Sequence, residues 1–181
     1  HENLKKFLEK KKYDKILIHF AWRKILKTVI KSDQKAKLII WVHGVEALGW
    51  YRRLFLFEPK RFYKFFGYIL FNTRQLFFMH NFIKNKYVNK EFVFVSEWMK
   101  NILEKDSLSK GKIENYHIIP NVIDEKVFNY IEKDEKQRLN ILSIRPFASK
   151  KYANDLTVKA ILELQKEPFF NKLTFNIYGD G

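Results

Sequence analysis

The chain has 181 residues, 46% of them hydrophobic, which is enough to build a core in one large domain or parts of two. It contains no cysteine, and this excludes a disulfide framework, thiolate metal sites and cysteine nucleophiles. Thirty-five lysines and arginines against 20 acidic residues give a formal charge of +15, which favours polyanionic partners (nucleic acid, anionic lipid or phosphorylated metabolites) without choosing among them.

In chain order, "NLKKFLEKKK" (3–12) predicts a short basic helix with Asn3 in the N-cap position. "YDKILIHF" (13–20), short and apolar, predicts a buried strand, and "WRKILKTVIK" (22–31) sets Ile25, Leu26, Val29 and Ile30 on one helical face. "KLIIWVHG" (37–44) predicts a second strand, closed by glycine. Helices alternating with strands predict a parallel sheet covered by helices.

Residues 51–90 have a different character. Phe62, Phe65, Phe66, Ile69, Leu70, Leu76 and Phe77 follow helical spacing, while Tyr63, Tyr68, Phe71, Phe78 and Phe82 make the other faces apolar too. The segment holds nine lysines and arginines and one acidic residue, Glu58. A helix apolar nearly all round is buried or touches lipid. Its longest uncharged piece, 65–73, is far short of the roughly 20 residues that span a bilayer. The leading expectation is a packed helical pair with its lysines on the wet face; the alternative is a surface resting against an anionic membrane.

Further on, "EFVFVS" (91–96) predicts a strand and "SEWMKNILEKD" (96–106) a helix that Ser96 caps. "YHIIP" (116–120) predicts a strand stopped by proline, with a bend beginning at Asn121. The polar run "EKDEKQ" (132–137) reads as linker, "RLNILSI" (138–144) as a new strand, residues 152–166 as a helix and "LTFNIYG" (173–179) as another strand. A strand–helix–strand unit thus restarts after the polar run. The boundaries predicted are a first domain over 1–123, a linker over 124–137 and the start of a second domain over 138–181. The chain opens on His1 and stops within "IYGDG", and is read as an internal segment of a longer protein.

Three places carry chemistry. His43 and Gly44 close a strand, and ligands of open parallel sheets bind outside the carboxyl ends of the strands. Glu46 is either a neighbouring carboxylate or part of a first helical turn. In "RPFASKK" (145–151), Arg145 ends a strand and Lys150 and Lys151 precede a helix, whose N-terminus already carries unpaired N–H groups and partial positive charge. Arginine binds a diphosphate bidentately and lysine acts as a mobile point charge. The competing reading is an exposed basic loop on a basic protein.

"VHGVEAL", "FVFVSEWMKNIL", "IIPNVIDEKVF", "ILSIRPFASKKYANDL" and "IYGDG" occur in that order from about residue 37 onward. Together they resemble the group-1, glycogen-synthase-like glycosyltransferases, retaining enzymes of family 4 with the GT-B fold. The resemblance implies two Rossmann-like parallel-sheet domains, both incomplete here. His43 matches the histidine that approaches the transferred sugar at the cleft mouth. Arg145 with Lys150 or Lys151 matches the pair that holds the nucleotide diphosphate, and Gly179 and Gly181 match the glycine turn of the donor domain. Where the family's linking segment commonly has glycine, this chain has Val122 and Ile123.

The resemblance further implies transfer of a sugar, of the hexosyltransferase type, from a nucleotide diphosphate sugar to a glycan or lipid-linked acceptor in surface polysaccharide biosynthesis. No metal and no cofactor beyond the donor substrate are expected. The expected location is cytoplasmic, with peripheral contact at the inner face of the cell membrane. The family's N-terminal glycine-rich loop and its paired glutamates, separated by seven residues, are not in this sequence, so the segment by itself is expected to have little or no activity. A sugar-nucleotide epimerase shares the same plan. A non-catalytic membrane-binding module would explain 51–90 but not the ordered motifs at 120–156, and a nucleic-acid-binding module would explain the charge and the many aromatics; no nucleic-acid motif is found, and no nucleic acid is expected as a partner.

Overall fold

A computed structural model describes residues 2–32 and 35–180, arranged as two compact units, His1–Val122 and Ile123–Gly181. The first is built from α1 (Glu2–Lys10), β1 (Lys15–His19), α2 (Arg23–Lys31), β2 (Lys37–Val42), α3 (Phe62–Lys84), β3 (Lys90–Phe94), α4 (Glu97–Asp106) and β4 (Tyr116–Ile118). Two 3₁₀ turns, Trp50–Leu56 and Pro59–Arg61, lead into α3. The four strands form one parallel sheet in the order β1-β2-β3-β4, with Ile18 opposite Ile40 and Ile40 opposite Phe92. The expected parallel α/β architecture is present.

The alternation of β2 explains where the core lies. Leu38, Ile40 and Val42 point to one face and are buried, joined there by Leu26 of α2, Met79 of α3, Phe94 of β3 and Leu103 of α4. Side chains on successive strand residues point to opposite sides, so the intervening Lys37, Ile39 and Trp41 face the other side and are only half-buried. On that side Leu17 of β1 is exposed while Val93 of β3, level with Trp41, is buried, so the second face is bare at the β1 edge and covered at the centre of the sheet. On that same face the Glu91 carboxylate meets Lys37 and His117 from the flanking strands, and Lys37 above all holds it below the usual range for a glutamate.

Segment 51–90 corrects the leading expectation. It holds two 3₁₀ turns and one long helix, and no helical pair. Along α3 the buried positions are Phe65, Asn72, Gln75, Met79, Phe82 and Ile83, whereas Phe62, Tyr63, Phe66, Leu70, Phe71 and Phe77 are exposed. The helix turns two amides inward and a row of aromatic rings outward. No helix among the described residues is long and apolar enough to cross a membrane.

The second unit comprises α5 (Glu135–Arg138), β5 (Asn140–Ile144), a 3₁₀ turn (Lys150–Tyr152), α6 (Asn154–Leu164), a second such turn (Phe170–Lys172) and β6 (Thr174–Tyr178). β5 and β6 pair in parallel, Asn140 opposite Thr174 and Ile144 opposite Tyr178. Part of the run read as linker is in fact helical. Asp134 accepts from the Gln137 amide and the Gln137 side chain accepts from the Asp134 amide, a reciprocal cap that stabilises a single turn. The bend expected at Asn121 lies further on: the carbonyl of Asp124 accepts from Val127 and Phe128, and its carboxylate accepts from the Lys126 amide. Asp124 supplies the side-chain acceptor that Val122 and Ile123 lack. Gly181 lies outside the described residues.

Candidate functional site

The first cluster forms at the carboxyl ends of β1 and β2. Parallel pairing sets His19 opposite Trp41, two residues short of His43, so both histidines emerge at the same edge of the sheet. His19 Nδ1 and His43 Nε2 are hydrogen-bonded at 2.9 Å, the tautomer setting which of the two donates. Their rings stack at 5.2 Å, and Phe20 stacks on the far partner, His43, at 4.4 Å. Phe20 has φ 58°, a left-handed conformation that costs an aromatic residue on the order of 1–2 kcal/mol. Its neighbours over-determine it: the Phe20 carbonyl accepts from the Trp22 amide at 2.6 Å, and the ring covers His43.

The turn after His43 is held from beneath. Gly44 has φ 110°, which a side chain would strain, and an added Cβ would press on the Met99 side chain. Its carbonyl accepts from Ala47 and Leu48, closing the turn. Glu46 is fully buried; one carboxylate oxygen accepts from the His43 amide at 2.8 Å, and the other is buried with no partner. Of its two readings, Glu46 is the carboxylate neighbouring His43, buried within a turn rather than opening a helix. It is the internal anchor of the histidine turn.

α3 completes that anchoring through the polar residues it buries. Gln75 accepts from the Arg23 amide at 2.8 Å and donates to the carbonyls of Ala21 and, at 3.4 Å, Glu46. Asn72 accepts from the Trp50 amide and donates to the Leu48 carbonyl. Two side chains on one helix thus hold the backbone after β1 and the backbone after β2. At the far end of the second loop, Asp106 of α4 accepts from the Gly49 amide, the Tyr51 hydroxyl and both Arg52 nitrogens at 2.5–3.0 Å. Burial pushes the Asp106 carboxyl up, but these donors outweigh it and hold it below the usual aspartate range.

The second cluster lies in the Ile123–Gly181 unit, in the loop between β5 and α6. The Arg145 amide donates to the Tyr178 carbonyl, while its guanidinium reaches across the loop to the Tyr152 carbonyl at 3.0 Å. Arg145 is thereby folded over the turn that carries Lys150 and Lys151. Ser149 caps that turn by accepting from the Lys151 amide, and the Asn154 amide group donates to the Pro146 carbonyl across the loop. Ala153, at φ 54°, offers no capping side chain to α6, which leaves the first N–H groups of that helix without a side-chain acceptor. All three cations are exposed. The Lys151 ammonium lies over the Tyr152 ring at 5.5 Å, whereas that of Lys150 has no ion pair or ring contact among the described residues.

Gly179 closes this cluster from β6. A Cβ there would run into the Arg145 carbonyl oxygen, and the neighbouring Phe147 amide donates to the Asp180 carbonyl at 2.8 Å. Only a residue without a side chain lets the ends of β5 and β6 approach this closely. Arg145, Lys150, Lys151 and Gly179 are brought together in this unit, and His43 belongs to the other. Asp155, in the first turn of α6, is the opposing charge; it pairs with Lys159 at 4.0 Å.

His19 and Gln75 were not singled out by sequence reasoning. His19 satisfies the rule that drew attention to His43, since it too is the last residue of a parallel strand; Gln75 gives no such signal, because a glutamine within an apolar helix reads as surface. A cavity of about 740 Å³ lies elsewhere in the first unit, lined by Lys84, Lys90, Lys112 and their neighbours around the amino ends of β3 and β4. Open parallel sheets bind ligands at the opposite, carboxyl ends, so its size does not make it the site. No family model matches this chain, and comparison with curated proteins and with solved structures found no significant match to either.

Proposed function

We propose that this chain is part of a retaining glycosyltransferase of the GT-B type, one that takes its sugar from a nucleotide diphosphate donor. The observation that carries the reading is the β5–α6 loop. It gathers Arg145, Lys150 and Lys151 against an uncapped helix N-terminus, where the adjacent parallel strand ends in a glycine that admits no side chain. The ordered resemblance from "VHGVEAL" to "IYGDG" supplies the reaction.

In this reading the bond between the sugar's anomeric carbon and the diphosphate oxygen breaks, with its electron pair leaving on the diphosphate. Arg145 and Lys150 stabilise that developing charge, Lys150 being the lysine whose ammonium is unengaged. The acceptor hydroxyl bonds to the anomeric carbon on the same face, and its proton passes to the departing phosphate. The resemblance gives His43, bonded to His19, the role of the histidine that approaches the transferred sugar.

The test is titration of the chain with nucleoside diphosphates, followed by turnover in a form that carries the whole donor domain. Arg145→Ala is expected to weaken diphosphate binding about tenfold and to lower turnover by roughly 10²–10³-fold, with the melting temperature unchanged. Undiminished binding and turnover in this variant would remove the β5–α6 loop from the mechanism.

A further inference from the structure

α3 buries a mixed apolar and amide face and turns a second, aromatic face outward. At about 100° per residue, Phe65, Asn72, Gln75, Met79, Phe82 and Ile83 fall on one side of the helix. Phe62, Tyr63, Phe66, Leu70 and Phe77 fall on the opposite side, and each is more than half exposed. From 62 to 77 the outer stripe runs about 22 Å along the axis. A row of exposed apolar side chains of this extent on a water-facing helix, broken only at Thr73, marks a docking face.

The charges around the stripe select the occupant. Lys60 and Arg61 are exposed at its leading end and Arg74 borders it, and across 51–74 the one acidic residue is Glu58, which pairs with Arg61 at 3.9 Å. Aromatic rings on one face with lysine and arginine flanks form the pattern of a helix lying in the plane of a bilayer. A second copy of a chain with net charge +15 would bring like charges together. Each lysine or arginine near an anionic leaflet is instead attracted to it.

We propose that the outer face of α3, from Phe62 to Phe77, rests on the surface of an anionic lipid bilayer, with its rings at the level of the headgroups and its cations on the lipid phosphates. This goes beyond the proposed transferase chemistry and stands or falls apart from it. The inner face packs Met79, Phe82 and Ile83 into the core and adds Asn72 and Gln75, which bond to loop backbone that apolar side chains cannot satisfy.

Sedimentation with vesicles provides the test, using phosphatidylcholine alone and phosphatidylcholine mixed roughly two to one with phosphatidylglycerol. The chain is expected to pellet with the anionic vesicles and to be released by salt. The double variant Phe66→Ser/Leu70→Ser and the charge reversal Lys60→Glu/Arg74→Glu are each expected to reduce partitioning about tenfold or more, and only the second also flattens the salt dependence. The altered side chains are exposed, and circular dichroism melts check that both variants keep the fold. Equal pelleting with neutral and anionic vesicles, or variants that bind like the original chain, would overturn the proposal. So would a dimer in solution that the serine variant dissociates while vesicle binding is absent, since the face would then belong to a second copy.

Discussion

Asp106 shows how one residue of this protein can organise a loop. It closes α4, is buried, and gathers donors from Gly49, Tyr51 and Arg52, so the segment leaving the histidine turn is tied down at a single carboxylate. Because the folded-state pKa is depressed, the unfolded chain binds the proton more readily. The stability Asp106 contributes is complete well above the ordinary value of about 3.9 and is lost as pH falls through the folded-state value. Asp106→Asn is expected to cost about 3 kcal/mol at neutral pH, with the gap from the unmutated chain closing below about pH 4. Urea melts between about pH 2.5 and 7 measure this, and a gap constant down to pH 3 would contradict it. His43 was legible at this scale because a strand ending in histidine and glycine is a local pattern. Its partner was not: His19 lies 24 positions away, and only the pairing register of β1 and β2 brings the two rings together.

Among the elements, α3 departs most from what its composition suggests. The sequence shows an aromatic-rich helix and predicts burial; the structure spends its burial on a narrow stripe containing Asn72 and Gln75. Backbone groups in the loops after β1 and β2 lack strand or helix partners, and a buried N–H or C=O left unpaired costs on the order of 1–3 kcal/mol. Long amides reaching in from a rigid helix meet that demand. Gln75→Leu is therefore expected to destabilise the chain by about 2–4 kcal/mol although it raises the apolar content of the core. Phe77→Ser on the opposite face should change stability by less than about 0.5 kcal/mol in buffer. Denaturant midpoints compare the two; a neutral Gln75→Leu would show that these loops hold themselves. The strands and helices of the sheet were by contrast readable from short apolar runs and 3.6-residue periodicity, since those patterns are local.

For the whole molecule, the uneven distribution of core is decisive. Every buried hydrophobic residue among the described ones lies between Leu8 and Ile113, and none lies in the Ile123–Gly181 unit. In that unit Leu142, Ile144 and Leu156 remain more than half exposed, because two strands and one helix have too little surface to cover one another. Residues 117–138 are exposed throughout. Trypsin is expected to cut first at Lys126 or Lys133 and leave a resistant piece holding β1 to β4, as mass spectrometry of a timed digest would show. Early cleavage between β1 and β4 would instead mean that the sheet is the weaker part.

By itself the sequence determined the alternation of strand and helix, the parallel class of both sheets, and the position of His43 and Arg145 just past strand ends and of the two lysines just before a helix, because each depends on neighbours a few residues apart. The tertiary structure decided which groups those residues meet: His43 with His19, Glu46 with a backbone amide, Arg145 with the Tyr152 carbonyl, and the outward face of α3. These outcomes depend on strand register and on unpaired backbone groups elsewhere in the fold, neither of which leaves a mark on the local pattern.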